Sequence, residues 1–156
     1  MHLDLTKSEV TDSLLGSENM DNIKLLNVQS LDSHKRLEYL IRKVADFELI
    51  WSSYGDNGWL LLSDENGRRI TPFWPEKEFV NEYNITHKYD YFAKKMDLYY
   101  FLDKWINGLA KDKIDIVLFP VKEKESIIIS PLQLKALIEN ELEQYSIQEF
   151  DYDVVI

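Results

Sequence analysis

The sequence contains no cysteine, which excludes a disulfide scaffold, a zinc ribbon and a thiol enzyme. Glycine is scarce, and Gly16, Gly55, Gly58, Gly67 and Gly108 stand singly, so there is no glycine-rich phosphate loop. The histidines His2, His34 and His87 are isolated, none three or four residues from another, and give no metal-ligand spacing. No Gly-x-Ser-x-Gly elbow offers a hydrolase nucleophile. Asp64-Glu65-Asn66-Gly67 has the look of a calcium loop, but Leu62 takes its first ligand position and Phe73 its twelfth, so the segment reads as a hairpin turn. Long apolar runs are missing too. Trp59–Leu62 and Ile114–Phe119 are far too short to cross a bilayer. The N-terminus lacks the basic-then-apolar order of a secretory signal. The expectation is a cytoplasmic protein with no metal, no cofactor, no membrane partner and no catalytic constellation, hence not an enzyme.

What is present is enough apolar surface to fold. Of 156 residues, 45% are apolar and 13% aromatic, which suits one globular domain and offsets the entropy of ordering. The net charge of −10 is unevenly placed. Residues 1–22 hold five acids and one base, and residues 136–156 hold six acids and no base, leaving 17 of each between them. Such ends repel nucleic acid and anionic membranes and attract a basic partner, besides aiding solubility.

Residues 1–29 show no sustained period and read as a loosely ordered N-terminal arm. Residues 30–146 read as a single α+β domain, and residues 147–156 as an acidic-aromatic tail. A first helix, capped by Asp32 or Ser33, carries Leu37, Leu40, Ile41 and Val44 at helical spacing to about Asp46. Three strands are expected at Glu48–Ser53, Trp59–Ser63 and Arg68–Trp74, the last pair joined through Asn66-Gly67. A short helix follows from Glu76 to Tyr83, after which residues 84–95 are ambiguous. Asp97 caps a helix bearing Leu98, Phe101, Leu102, Trp105 and Leu109 on one face, with Trp105 expected mostly buried. Strands at Ile114–Phe119 and Ile127–Ile129 precede Ser130-Pro131-Leu132-Gln133, a full helix-start signal. Short turns between neighbouring strands predict an antiparallel sheet of about five strands with helices packed on it.

Several segments together resemble a bacterial family of unknown function, number 2750 in the domain-of-unknown-function series. They are Arg36-Leu37-Glu38-Tyr39-Leu40-Ile41-Arg42-Lys43-Val44-Ala45-Asp46, Gly58-Trp59, Pro72-Phe73-Trp74-Pro75, Phe101 to Leu109, Phe119-Pro120 and Pro131 to Leu134. The resemblance implies a compact bacterial cytoplasmic domain and supplies no activity. The chain departs from the family pattern after Pro75, where a histidine is expected and Glu76 stands. The tail after Tyr145 looks like an extension.

Two binding surfaces are candidates. In the tail, Phe150 and Tyr152 alternate with Glu149, Asp151 and Asp153, a period-two pattern that suits an edge strand presenting carboxylates to a basic partner. The other is an aromatic groove formed by Trp74, Tyr83 and Tyr89. The first predicts an immunity protein or antitoxin that neutralises a basic toxin or nuclease domain. The second predicts an adaptor or regulatory domain that binds a protein or small ligand. An enzyme with an unrecognised pair of carboxylates is the third reading.

Overall fold

The described residues open with two helices whose starts are fixed by aspartates. In the computed structural model, which describes residues 20–155 and side chains as far as Gln144, α1 is Asn22–Gln29 and α2 is Ser33–Phe47. Asp21 and Asp32 are the N-caps, accepting from the amides of Lys24 and Lys35 at 2.8 Å each. Residues 1–19 of the expected arm lie outside the described residues, whereas residues 22–29 are helical and place Val28 in the core. Eight residues are too few to show a period, so this helix was not legible as one. Glu48 ends α2 in the left-handed region, φ 58°.

Among the described residues, seven strands form two sheets. One comprises β1 (Leu49–Gly55), β2 (Gly58–Trp59) and β5 (Phe92–Asp97), ordered β2-β1-β5 and antiparallel throughout. The other comprises β3 (Leu62–Ser63), β4 (Arg69–Phe73), β6 (Asp115–Leu118) and β7 (Ile127–Ile129), ordered β3-β4-β6-β7. Reciprocal backbone bonds between Trp51 and Trp74, at 3.0 and 2.9 Å, join the sheets. The α+β class expected from the sequence is found, in one compact domain, but the expected single antiparallel sheet of about five strands is corrected in two respects. The predicted strand Trp59–Ser63 is broken at Leu60, whose amide donates to Ser53 and whose carbonyl accepts from Thr71, so its two halves serve different sheets. In addition, β4 and β6 pair in parallel. A parallel pair needs a long crossover, here the whole segment 74–114.

The helices that follow α2 are α3 (Lys77–Thr86), α4 (Leu98–Tyr100), a π-helical turn Phe101–Trp105, α5 (Ile106–Lys111) and α6 (Pro131–Val155). Asp97 caps α4 through the amide of Tyr100. Leu98, Phe101, Leu102 and Leu109 are buried as their spacing predicts, but Trp105 is only half-buried. The π turn changes the residues per turn and so shifts Trp105 off that face. It packs edge-on against Trp59 at 4.9 Å and Phe73 at 6.2 Å. Ser130 and Gln133 complete their reciprocal capping box at 3.2 and 2.8 Å, and α6 then buries Leu134 and Ile138. The helix continues to Val155, so the period-two edge strand expected for residues 149–153 is not formed. After Pro131 no proline or glycine interrupts the chain, and helical bonds need no partner strand.

Candidate binding site

The carboxyl end of α3 carries an aromatic ladder. Trp74, at the end of β4, is fully buried and donates its indole N–H to the Pro120 carbonyl at 3.1 Å. Its ring lies 5.1 Å from that of Tyr83. Tyr83 stacks on His87 at 3.9 Å, His87 on Tyr89 at 5.4 Å, and Tyr89 leans on Tyr91 at 6.0 Å. The three residues of the expected groove thus come together, though Trp74 serves as its buried floor. His87 links them because it stands four residues from Tyr83, one helical turn on. Its Nδ1 lies 2.9 Å from the Tyr83 carbonyl, which can only accept, so Nδ1 holds the proton.

A pocket of about 110 Å³ opens beside the ladder, lined by Gln29 of α1, by Glu82, Tyr83 and Thr86 of α3, and by Pro120–Lys122. The Lys122 ammonium donates to the Thr86 carbonyl at 3.2 Å, placing a cation where the helix dipole favours one. Burial, and then Tyr89, push the Tyr83 phenol up to about 12, so it is a neutral hydroxyl at physiological pH. The pocket therefore offers a phenol, an amide, a carboxylate and an ammonium within side-chain dimensions. His87 and Lys122 were not singled out from the sequence. The Tyr83/His87 spacing was the available signal for the first, and nothing local marks the second.

The wall Pro120–Lys122 is held by Arg36. This arginine is 1% exposed and donates to the carbonyls of Leu31 at 2.7 Å, Phe119 at 3.0 Å and Glu125 at 2.5 Å. Burial lowers the pKa of its guanidinium, with Asp32 opposing. Phe119 is fully buried at φ 47°, a region that bulky side chains rarely adopt, and its amide is anchored to Phe73 at 2.8 Å. Arg36 thus pins a strained turn from one side and β4 pins it from the other. Nearby, the Tyr39 hydroxyl donates to Glu76 at 2.5 Å, and burial with this carboxylate raises the Tyr39 pKa. Glu76 is the N-cap residue of α3 but makes no capping bond.

A family profile described as "Protein of unknown function (DUF2750)" matches residues 37–138, more than half of the chain. The chain belongs to this family. No curated protein matches it. Within the DUF2750 segment lie the ladder, the Pro120–Lys122 wall and the Tyr39–Glu76 pair, so Glu76 at the expected histidine position keeps a structural task here. Gln29 and the candidate partner-binding residues Glu149, Phe150, Asp151, Tyr152 and Asp153 fall outside that segment. The side chains of those five lie outside the described residues; their backbone is helical. In a helix, positions two apart point about 200° away from each other, so the carboxylates at 149, 151 and 153 do not form the single row that a strand would give. Among the described residues, no three His, Cys, Asp or Glu are grouped to hold a metal ion, and no helix is long and apolar enough to cross a membrane.

Proposed function

We propose that this DUF2750 protein is a cytoplasmic binding module that engages a basic protein partner through its acidic C-terminal helix, acting by occupancy and not by catalysis. A basic toxin or nuclease domain is the partner class that suits it, which would make the chain an immunity protein. The observation that carries this reading is the charge of residues 136–156, six acids without a base, on a backbone helical to Val155. The six acids lie along residues 139–153, about 21 Å of helix, long enough to reach into the polyanion-binding cleft of a partner. Its acids would also speed encounter with a cationic surface by electrostatic steering.

The adaptor reading, with a small ligand in the aromatic groove, draws on the Tyr83 pocket. Small-molecule sites are typically about 300–1,000 Å³. A pocket of about 110 Å³ suits the tip of one partner side chain better. The test is kinetic. A partner captured from the native organism is mixed with the wild type and with the triple variant Glu149→Gln, Asp151→Asn, Asp153→Asn at about 0.01 and about 0.15 M salt. The reading predicts association that slows steeply with salt, and about tenfold slower association of the variant at low salt. Equal rates and equal salt dependence would exclude the acidic helix as the recognition element.

A further inference from the structure

The hairpin end of the first sheet holds a second arrangement, which shares no residue with the ladder or α6. The strand register sets Trp59 of β2 and Phe92 of β5 on either side of Tyr54 of β1, so three aromatic side chains stand in one row on one face. They do not lie flat. Trp59 is tilted 78° to Tyr54 at 5.0 Å, and Phe92 is tilted 63° at 5.7 Å, which makes walls around the Tyr54 ring. Lys94, two residues along β5 from Phe92 and so on the same face, brings its ammonium to 3.9 Å from the Tyr54 ring centre and 5.3 Å from that of Trp59. No carboxylate among the described residues pairs with this ammonium; ring faces hold it. Trp105 packs edge-on against Trp59 at 4.9 Å and braces this ring.

We infer that Tyr54 and Trp59, with Phe92 flanking the Tyr54 ring, form an ammonium-binding cage, that Lys94 fills it in the free protein, and that a lysine ammonium of a protein partner replaces Lys94 on binding. Mutually tilted rings around a cation are the geometry that recognises alkylammonium groups, through the negative faces of the aromatic quadrupoles. The resident is easily displaced. Lys94 and Phe92 are exposed, and a solvent-exposed cation–π contact shifts an equilibrium only about two- to fivefold. The choice of a protein lysine rests on the basic-partner reading above; the cage itself does not.

The test uses the full chain and follows the Trp59 indole N–H by NMR during titration with tetramethylammonium chloride, with sodium chloride as the ionic control. The cage predicts a saturable shift in the wild type and about two- to fivefold tighter binding in Lys94→Ala, where the internal competitor is gone. Adding Tyr54→Ala to Lys94→Ala should abolish the response, whereas Tyr54→Phe, which keeps the ring, should preserve it and serves as the folded control. An unmoved indole signal in Lys94→Ala, or equal affinities with and without Lys94, would overturn the cage. Lysine-containing peptides then test the source of the cation. Binding of a lysine peptide, lost when its ammonium is acetylated, supports a protein partner. Binding of tetramethylammonium alone would refute that part and leave a site for small quaternary amines, while the outcome at the acidic helix is read separately by the association kinetics.

Discussion

Arg36→Met removes a guanidinium and keeps most of its apolar stem. Three hydrogen bonds from the charged group are lost, to Leu31, Phe119 and Glu125, and such bonds each contribute about 1.5–3 kcal/mol net. Against this, the variant no longer buries an unpaired cation, whose desolvation costs several kcal/mol. These two effects largely offset, so what remains decides the outcome. The Leu31 and Glu125 carbonyls are partly accessible and can turn to water. The Phe119 carbonyl is buried and is left without its donor, at about 1–3 kcal/mol. The left-handed Phe119 also loses one of the two clamps that hold its strain, itself worth about 1–3 kcal/mol. The expected loss is about 2–4 kcal/mol, or roughly 5–15 °C in melting temperature for a domain of this size. Arg36→Ala should lose more, because the stem volume goes as well. Arg36→Lys should recover only part, since one ammonium cannot serve three divergent carbonyls. Urea and thermal unfolding followed by circular dichroism measure these losses. Stability of Arg36→Met within about 0.5 kcal/mol of wild type would refute the view that Arg36 pins the pocket wall.

Ser130→Ala removes half of the capping box of α6 and should cost about 1 kcal/mol in urea unfolding; Gln133→Ala should cost less, because it leaves the Ser130 bond in place. The Tyr83 phenol titrates near 12 in the folded chain against 10.0 ordinarily, so above pH 10 the unfolded state sheds this proton first and stability falls as pH rises through that window. Tyr83→Phe should flatten the fall by no more than about 1–2 kcal/mol, given that the group is only partly buried, as read by unfolding at about pH 9 and about pH 11. Trp105→Ala opens the contacts with Trp59 and Phe73 from a half-buried position and should cost about 2–3 kcal/mol, less than a fully buried tryptophan, by thermal melting.

Local signals proved readable in this chain, and non-local ones did not. Asp32, Asp97 and Ser130 act on amides three residues ahead, so their caps were visible in the sequence and all three are made. The Asn66-Gly67 turn is likewise local, with Gly67 at φ 80° and the Asp64 carboxylate accepting from Asn66 and Arg68. By contrast, nothing near Arg69–Phe73 announces a parallel partner more than forty residues away in β6. The division of Trp59–Ser63 between two sheets depends on the Leu60 amide donating to Ser53 and its carbonyl accepting from Thr71, partners that only the folded chain brings together. In the tail, alternation of aromatic and acidic residues fitted a strand, but an uninterrupted helix already under way continued instead. The groove of Trp74, Tyr83 and Tyr89 was foreseen as a set. Its polar members were not, because Lys122 and Gln29 reach the pocket from other elements.

The central claim is that the acidic helix is where a basic partner lands, and amide hydrogen exchange tests it most directly. The full chain is compared free and saturated with the partner captured from the native organism. The account predicts new protection concentrated in residues 136–155, with at most minor change in the β4–β6 core. Protection confined to the body of the domain, with exchange in residues 136–155 unaltered, would contradict it.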